Sequence, residues 1–416
     1  MLTLHGERAG DTLWVVGNKA TLAALAVLAL GVWTGAHTLA FAAGLLVAMS
    51  LICRAWSRLA LAAVRIKVEF RDDRAFPGDV VNLVMTVENA WPIPLGWLEG
   101  EILIPPRLHP VEAITRRALE TDHRVIAVLT SLLPFQAASW TWQLRCRYRG
   151  RYDVPLIWLT VADPLRLFPR RRSIPLQCAL LVYPEIVPLE TLGLRSRLPG
   201  GDLLMPTVRV DDPIRTIGVR DYRPGDPQRR IHWKASARRP TLQVKVMERT
   251  AQLQLALYLG VDDFDHSWVI YRDALFERVV SAVASLANAA VERGGRVSLG
   301  ISGEEPTYLP SGGGTDHLRD ILELLAVVQP RRGRPLASVL EGSAWRVPGG
   351  ASLAVAVARV DDELRAELSN ARRRGLPVAV LHASVDPLEI EEGIEVFEIG
   401  RSNDISAVLA EPIQPW

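Results

Sequence analysis

The feature that most constrains the fold is an apolar run near the N-terminus. From Leu13 to Cys53 the sequence holds one formal charge, Lys19, and the run is interrupted at Gly35-Ala36-His37. A helix needs about 20 apolar residues to cross a bilayer, so the run is long enough for two crossings joined by a turn. A cleaved signal peptide followed by a buried helix is the alternative, but it leaves the second apolar segment unexplained. The sequence therefore predicts a transmembrane helical hairpin over residues 13–56.

The basic residues around this hairpin predict its orientation. Arg8 and Lys19 flank the first apolar segment, Arg54 and Arg58 follow the second, and the connecting turn has no basic residue. Lys and Arg are enriched on the cytoplasmic side of membrane proteins. We therefore expect a multi-pass protein of the cell membrane, with two helices and a cytoplasmic body.

Charge and cysteine content narrow the classes of function. Lys and Arg number 48 and Asp and Glu number 46, so the overall charge of +2 does not favour a nucleic-acid partner. The three cysteines, Cys53, Cys146 and Cys178, form no CxxC pair and have no His at metal-ligand spacing. This pattern argues against a disulfide framework or a zinc site and is typical of a reducing compartment.

The remainder of the chain shows two periodic patterns. Residues 64–182 alternate with period two in short runs separated by Pro and Gly, which predicts a β-sandwich domain. Residues 251–416 alternate apolar strands with helical segments, predicted at 272–295, 315–328 and 361–375, as in a doubly wound α/β domain. Residues 183–250 are predicted to be a linker that carries a basic motif.

A second basic segment, "DPLRLFPRRRSIP" (Asp163–Pro175), lies within the predicted sandwich and is bounded by prolines. Runs of charge of this kind are usually solvated surfaces. Contact with anionic lipid near the membrane is the alternative.

The basic motif, "VRDYRPGDPQRRIHWKASARRP" (Val219–Pro240), holds six arginines and almost no aliphatic residues. From Met205 to Glu248 there are ten Lys and Arg against five acids, a local excess larger than that of the whole chain. Asp226-Pro227 has the form of a helix start, with Asp as N-cap and Pro in the first position. We expect a helix from there to Pro240 that places Arg230, Lys234 and Arg238 on one face.

Three interpretations of the motif compete. Arg and Lys interleaved with Trp, Tyr and His can bind phosphate or nucleic acid. Catalysis by His232 is the second, but no partner carboxylate or nucleophile is identifiable in the sequence, and no catalytic residue is assigned. A structural or docking surface is the third and the one we favour. The residues expected to form this surface are Asp221, Tyr222, Arg223, Asp226, Arg230, His232, Trp233 and Lys234.

The stretch "GVRDYRPGDPQRRIHWKASAR" closely resembles the signature of the bacterial and archaeal family catalogued as domain of unknown function fifty-eight. "YRGRYDVPLIWLTVADPLRLF", "LLVYPEIVPL" and "FERVVSAVASLANAAVERGGRVSLGI" resemble further blocks of that family, so the resemblance extends over essentially the whole chain. It implies a von Willebrand factor A-like C-terminal domain and association with AAA+ ATPases of the MoxR type, often beside membrane-bound transglutaminase-like proteins. It implies no enzymatic activity.

The resemblance also raises the question of a metal. Many von Willebrand A domains hold Mg²⁺ with Asp-x-Ser-x-Ser after the first strand, whereas the corresponding loop here is "GVDDFDHSW". Asp262, Asp263 and Asp265 could still form a carboxylate site for Mg²⁺. The alternative, which we favour, is that they cap the next helix or pair with the basic motif, and no cofactor is then expected.

These observations together predict a membrane-anchored, non-enzymatic scaffold or adaptor that works with a MoxR-type AAA+ ATPase. The contrasting prediction is a binding protein or enzyme for an anionic ligand, phosphate or nucleic acid, that uses His232, Lys234 and the arginines.

Overall fold

The structure is a computed structural model that describes residues 9–111, 115–117, 124–189, 207–261, 269–331, 333–343, 347, 351–383, 388 and 390–399. The chain divides into two compact units, Met1–Tyr183 and Pro184–Trp416.

The first unit begins with a helical hairpin, α1 (Ala9–Trp33) and α2 (His37–Ala63). The turn between them contains Gly35, whose φ of 73° lies in the left-handed region that glycine adopts without strain. Gly31 lies so close to the second helix that a Cβ there would be 2.9 Å from the backbone nitrogen of Ala40. The helices are therefore held together at the turn by backbone contact.

Two helical segments in the described part of the chain are long and apolar enough to cross a membrane. Only 11% of the most apolar stretch of α2 is buried. The corresponding share in Ala274–Glu292 is 67%, and this helical segment forms part of the core of the second unit. The described apolar part of α1, Asn18–Trp33, is shorter. The N-terminal hairpin is thus a pair of apolar helices, one of them long and exposed, and a membrane anchor is compatible with it.

The strands that follow form a two-sheet sandwich, so the predicted β-sandwich is confirmed. One sheet has the order β1-β3-β8-β5 and the other β2-β10-β9-β4-β7-β6. Described pairs are antiparallel apart from β2 with β10, which is parallel. The strands are β1 Val64–Phe70, β2 Arg74–Ala75, β3 Val80–Asn89, β4 Leu95–Ile104, β5 Leu108–Pro110, β6 Thr115–Arg117, β7 Arg124–Leu132, β8 Ala137–Cys146, β9 Gly150–Ala162 and β10 Arg170–Val182.

Alternate residues of the facing strands build the sandwich core. Leu83, Met85 and Val87 of β3 are buried together with Ile157 and Leu159 of β9. The last turns of α2 join this core through Ala60, and Trp56 and Leu61 pack beside it. The period-two pattern thus predicted the strands because every second side chain is buried between the sheets.

The second unit is built on a mixed sheet with the strand order β14-β13-β12-β15-β16-β17. Neighbouring strands are parallel except β14, which pairs antiparallel with β13 at the edge. The strands are β12 Gln243–Leu259, β13 Arg296–Ile301, β14 Thr307–Gly312, β15 Ser352–Val357, β16 Val378–His382 and β17 Glu395–Glu398. Counted from β12 as the first strand, the order of this parallel-rich mixed sheet is 3-2-1-4-5-6.

Helices cover this sheet. The helices of this unit are α3 Trp233–Ser236, α4 Val269–Glu292, α5 Thr315–Val327, α6 Leu336–Ser343 and α7 Asp362–Arg373. α6 and α7 share a buried cluster with Ala256 and Tyr258 of β12, while α4 lies against β12, β13 and β15. The three predicted helices correspond to α4, α5 and α7. α7 is capped by Asp361, which accepts from the backbone N–H of Leu364 at 2.7 Å.

A further strand, β11 (Thr207–Asp221), pairs antiparallel with the N-terminal half of β12 and extends the sheet as a two-stranded ribbon. β12 runs without interruption through residues 250 and 251, where the sequence analysis placed the boundary between linker and α/β domain. The basic motif therefore belongs to the same strand pair as the central strand of the sheet.

Candidate docking surface at the tip of a two-stranded ribbon

The basic motif forms the end of the β11–β12 ribbon. We call residues 222–242 the ribbon tip. It contains a turn, a short 3₁₀ helix (Gln228–Arg230) and one turn of α-helix, α3 (Trp233–Ser236). The ribbon below it keeps its antiparallel register up to the pair Asp221 and Gln243.

The first turn of the tip is Arg223-Pro224-Gly225-Asp226. The backbone N–H of Asp226 donates to the carbonyl of Arg223 at 3.0 Å, and Gly225 has φ 103°. Pro followed by a residue with positive φ is the signature of a type II turn, which strongly favours glycine in the third position. The Pro-Gly pair therefore fixes the direction in which the chain leaves β11.

Asp226 holds this turn in place. Its carboxylate accepts two hydrogen bonds from the Arg220 guanidinium, at 2.7 and 2.6 Å, and a third from the backbone N–H of Arg223 at 2.8 Å. These bonds favour the charged carboxylate, and together they lower the pKa of Asp226 to about 2, with the largest contribution from Arg220 and the next from the N–H of Arg223. Asp226 and Arg220 therefore neutralise each other and brace the turn.

Gln243 connects the two sides of the tip and is fully buried. Its side-chain amide donates to the carboxylate of Asp221 at 2.5 Å, and its backbone carbonyl accepts from the N–H of His232 at 2.8 Å. The hydrogen bond from Gln243 lowers the pKa of Asp221, and the hydrogen bond from Thr241 lowers it further by a smaller amount. The second acidic residue of the motif is therefore also an internal brace.

His232 is the N-cap of α3. Its Nδ1 accepts from the backbone N–H of Ala235 at 3.1 Å, so the neutral ring carries its proton on Nε2. In this arrangement Nδ1 is engaged as an acceptor and Nε2 is a donor, so neither nitrogen has an unengaged lone pair. Ile231, one residue earlier, is buried and forms a β-bridge with Val244. The contact between the tip and the ribbon is thus formed by three buried residues, Ile231, Gln243 and Val244.

Aromatic, apolar and cationic side chains are exposed on the tip and on the strand next to it. Trp233 is 69% exposed, and Lys234 beside it is exposed as well. Ile217 on β11 is 68% exposed and Leu242 45% exposed. The other exposed cations of the tip are Arg223, Arg229, Arg238 and Arg239. Aromatic and Arg residues are the types enriched at protein interfaces.

The predicted helix from Asp226 to Pro240 is wrong. The chain forms a 3₁₀ turn, becomes extended at Ile231 and returns to a single helical turn at Trp233. A continuous helix would withdraw Ile231 from its bridge with Val244 on β12. The face of Arg230, Lys234 and Arg238 is therefore not formed by a helix, and Asp226 braces the preceding turn instead of capping a helix.

The structure separates the predicted site residues into two groups. Asp221, Asp226 and His232 are engaged within the tip, Tyr222 joins it through its N–H to the carbonyl of Leu242 at 2.8 Å, and Arg230 is half-buried. Arg223 has an engaged backbone and an exposed side chain, and Trp233 and Lys234 are exposed.

The candidate metal ligands Asp262, Asp263 and Asp265 lie outside the described residues. Among the residues that are described, no group of three or more His, Cys, Asp or Glu could hold a metal ion.

Sequence reasoning missed two residues that organise the tip, Arg220 and Gln243. Both lie on strands outside the predicted helix. The pairing of β11 with β12 places Gln243 opposite Asp221, and the turn Arg223–Asp226 returns Asp226 to Arg220, but the charged residues of β11 hide its strand pattern.

The fold and the tip define a class of protein: an apolar helical hairpin and a β-sandwich, followed by a mixed α/β sheet whose central strand extends into a cationic, aromatic tip. Residues 218–379 match the model of a family described as "Protein of unknown function DUF58", from β11 into β16. The predicted resemblance is confirmed for that part of the chain.

A curated relative supports the same relationship at a distance. "Uncharacterized protein YeaD" of Bacillus subtilis (strain 168) is 24% identical over 261 residues, which is 62% of this chain and 61% of the relative. The match thus spans less than two thirds of the relative's length.

Solved structures resemble only part of the chain. A non-cellulosomal cohesin from Archaeoglobus fulgidus is 10% identical and covers 32% of this chain and 99% of its own, with a TM-score of 0.20. A cohesin–dockerin complex from Clostridium thermocellum is 11% identical and covers 29% of this chain and 94% of its own, with a TM-score of 0.21. At these scores the likeness supports no inference about binding.

Proposed function

We propose that the chain is a membrane-anchored, non-enzymatic adaptor that docks a MoxR-type AAA+ ATPase through the ribbon tip. The observation that carries the proposal is the exposure of Trp233 beside Lys234 in the basic motif, whose acidic residues Asp221 and Asp226 are engaged in internal hydrogen bonds. A large exposed aromatic residue among cations favours a protein partner with an apolar pocket and an acidic rim. The identity of that partner comes from the family resemblance.

The anchor is the second element of the proposal. α2 is 27 residues long, contains an 18-residue stretch with a mean hydropathy of 1.9, and exposes large apolar side chains such as Phe41, Leu45 and Leu51. Together with α1 it would form a two-helix membrane hairpin with the body in the cytoplasm. The anchor would keep the ATPase at the membrane, where a membrane-bound transglutaminase-like protein is a further partner implied by the resemblance.

The third element is a von Willebrand factor A-like character of the α/β unit. The order 3-2-1-4-5-6 with one antiparallel edge strand agrees with an open sheet of that kind. Such a unit would serve as a rigid base for the ribbon. The adaptor proposal does not require a bound metal in it.

Co-purification of the full-length, detergent-solubilised protein with the MoxR-type ATPase of the same organism tests the docking proposal. The test variant is Trp233→Ala with Lys234→Ala. His232 stays unchanged because it caps α3 and its loss would disturb the tip. Val327→Ala with Arg319→Ala is the matched control, since it removes an exposed apolar residue and a cation from α5.

We expect the wild type and the control to capture the ATPase and the test variant to lose capture by roughly tenfold or more, as for a hot-spot aromatic residue. The assay is run with ATP, with ADP and without nucleotide. Equal capture by the test variant, or no capture by the wild type in any nucleotide state, would contradict the proposal. Binding of the tip to polyphosphate or single-stranded DNA would instead support the anionic-ligand alternative.

A further inference from the structure

A polar contact between the two helices follows the exposed apolar surface of the hairpin. Leu45, Leu51 and Ile52 of α2 are exposed apolar residues, and Arg54 is the first cation after them. The Arg54 guanidinium donates to the side-chain carbonyl of Asn18 on α1 at 2.6 Å. Polar contact thus joins both helices at Arg54, directly after the exposed apolar residues Leu51 and Ile52; beyond it Leu59 is 41% exposed.

The loop between β9 and β10, residues 163–169, is attached at this level. The ring of Phe168 lies under the Arg54 guanidinium, 4.5 Å from its carbon. Asp163 is fully buried, and its carboxylate accepts from the backbone N–H groups of Leu165 at 3.1 Å, Leu167 at 3.3 Å and Phe168 at 2.7 Å. The only acidic residue of the loop is therefore used to fix its backbone.

The outer side of the loop carries groups suited to a membrane interface. Leu165 is 58% exposed. Arg166 is exposed with φ 57°, a conformation unusual for a residue other than glycine, and its guanidinium lies over the ring of Trp97. An exposed aliphatic side chain beside Arg and Trp is typical of the boundary between the hydrocarbon core of a membrane and the lipid headgroups.

More cations continue from the loop into β10. Arg170 and Arg172 are exposed, whereas Arg171 is paired with Glu101 at 2.7 Å. Unpaired arginines near a membrane are attracted to anionic lipid. Phe168 joins the loop to the hairpin. A membrane-inserted hairpin would therefore keep the loop at a high local concentration near the lipid surface, so that even a weak contact between loop and lipid would form.

We propose that the β9–β10 loop is a second membrane contact, in which Leu165 enters the interface and Arg166, Arg170 and Arg172 bind anionic lipid headgroups. This inference rests on the membrane anchor of the proposed function. It assigns a role to the basic segment Asp163–Pro175 within the first unit and is independent of the ATPase.

The test places a fluorescent label on the full-length protein reconstituted in phosphatidylcholine vesicles, with or without phosphatidylglycerol. Leu165→Cys is the test position. Tyr148→Cys, in the connection between β8 and β9 at the opposite end of the sandwich, is the matched control, since Tyr148 is also exposed. Leu45→Cys reports the anchor itself. The three native cysteines are buried, so the introduced thiol is the one expected to react.

We expect quenching of the Leu165→Cys label by nitroxide-labelled lipid to exceed that of the Tyr148→Cys label by roughly threefold in anionic vesicles, and to fall at high salt or when Arg166, Arg170 and Arg172 are changed to Gln. Quenching at position 45 but not at 165 would overturn this inference and leave the anchor intact. No quenching at position 45 would contradict the anchor itself. Equal quenching at 165 in neutral and anionic vesicles would overturn the assignment of the arginines.

Discussion

At the scale of single residues, the tip depends on a buried amide. Gln243 donates to Asp221 at 2.5 Å and accepts from the N–H of His232 through its carbonyl. Gln243→Glu keeps the shape of the side chain but places a carboxylate against that of Asp221, so we expect repulsion in place of a hydrogen bond. The amide of His232 should lose roughly tenfold in protection against hydrogen exchange.

The double variant Gln243→Glu with Asp221→Asn is the control for this prediction. An amide at position 221 can again donate to the carboxylate at 243, so protection should recover in large part. If the single variant keeps the protection of the wild type, the bond between Gln243 and Asp221 does not organise the tip.

A second prediction at this scale concerns the titration of Asp226. Hydrogen bonds from Arg220 lower its pKa from an ordinary value of 3.8 to about 2. Because folding lowers this pKa, the contribution of the carboxylate to stability is present above 3.8 and is lost as the pH falls through about 2. Carboxyl ¹³C NMR of the labelled protein measures the pKa directly. Arg220→Met should return it towards 3.8, and an unchanged value would rule out Arg220 as the cause.

At the scale of elements, the type II turn decides the course of the tip. Gly225 has φ 103°, so Gly225→Ala forces a side chain into a left-handed conformation, at a cost of about 1 kcal/mol. Gly218→Ala is the matched control, because Gly218 has no positive φ and a Cβ there meets nothing within 4 Å. Trypsin should therefore cut the arginine-rich tip roughly fivefold faster in Gly225→Ala than in wild type.

Mass spectrometry of the first tryptic fragments gives the rates for both variants and the wild type. The control should be cleaved at the rate of the wild type. Equal acceleration in the two variants would mean that β11, and not the turn, is the element that opens.

The elements that the sequence predicted share one property: their pattern is local. The helices α4, α5 and α7 show period 3.6, and the sandwich strands show period two, because one side of each element is buried. The helix predicted from Asp226 failed because a non-local contact, the bridge from Ile231 to Val244, is formed instead. Local spacing contains no information about that bridge.

The candidate site was predictable to a similar extent. The exposed residues Trp233 and Lys234 follow from the unusual composition of the motif. The roles of Asp221 and Asp226 as braces depend on Gln243 and Arg220. The pairing of β11 with β12 brings Gln243 to Asp221, and the type II turn brings Asp226 back to Arg220. Sequence composition indicated the segment, whereas strand pairing and the turn determine which of its side chains are exposed.

At the scale of the whole molecule, the cysteines report on one of the two units. Cys53, Cys146 and Cys178 all lie in the unit Met1–Tyr183, and the sequence has no cysteine after them. Burial raises the pKa of Cys146 to about 11, with a further contribution from the carboxylate of Asp79, and burial also raises the pKa of Cys178. Both thiols should therefore react slowly with a thiol reagent at pH 8 until the sandwich opens.

The division into two units makes this reactivity a test of independent unfolding. Leu83→Ala removes a fully buried side chain from the sandwich, and Leu257→Ala removes one from the central strand of the second unit. Each should cost about 2–5 kcal/mol in the unit that contains it. If the units unfold separately, Leu83→Ala should accelerate the labelling of Cys146 and Cys178 by at least about tenfold, and Leu257→Ala should leave the rate unchanged. Acceleration by both variants would show that the sandwich and the α/β unit open as one cooperative body.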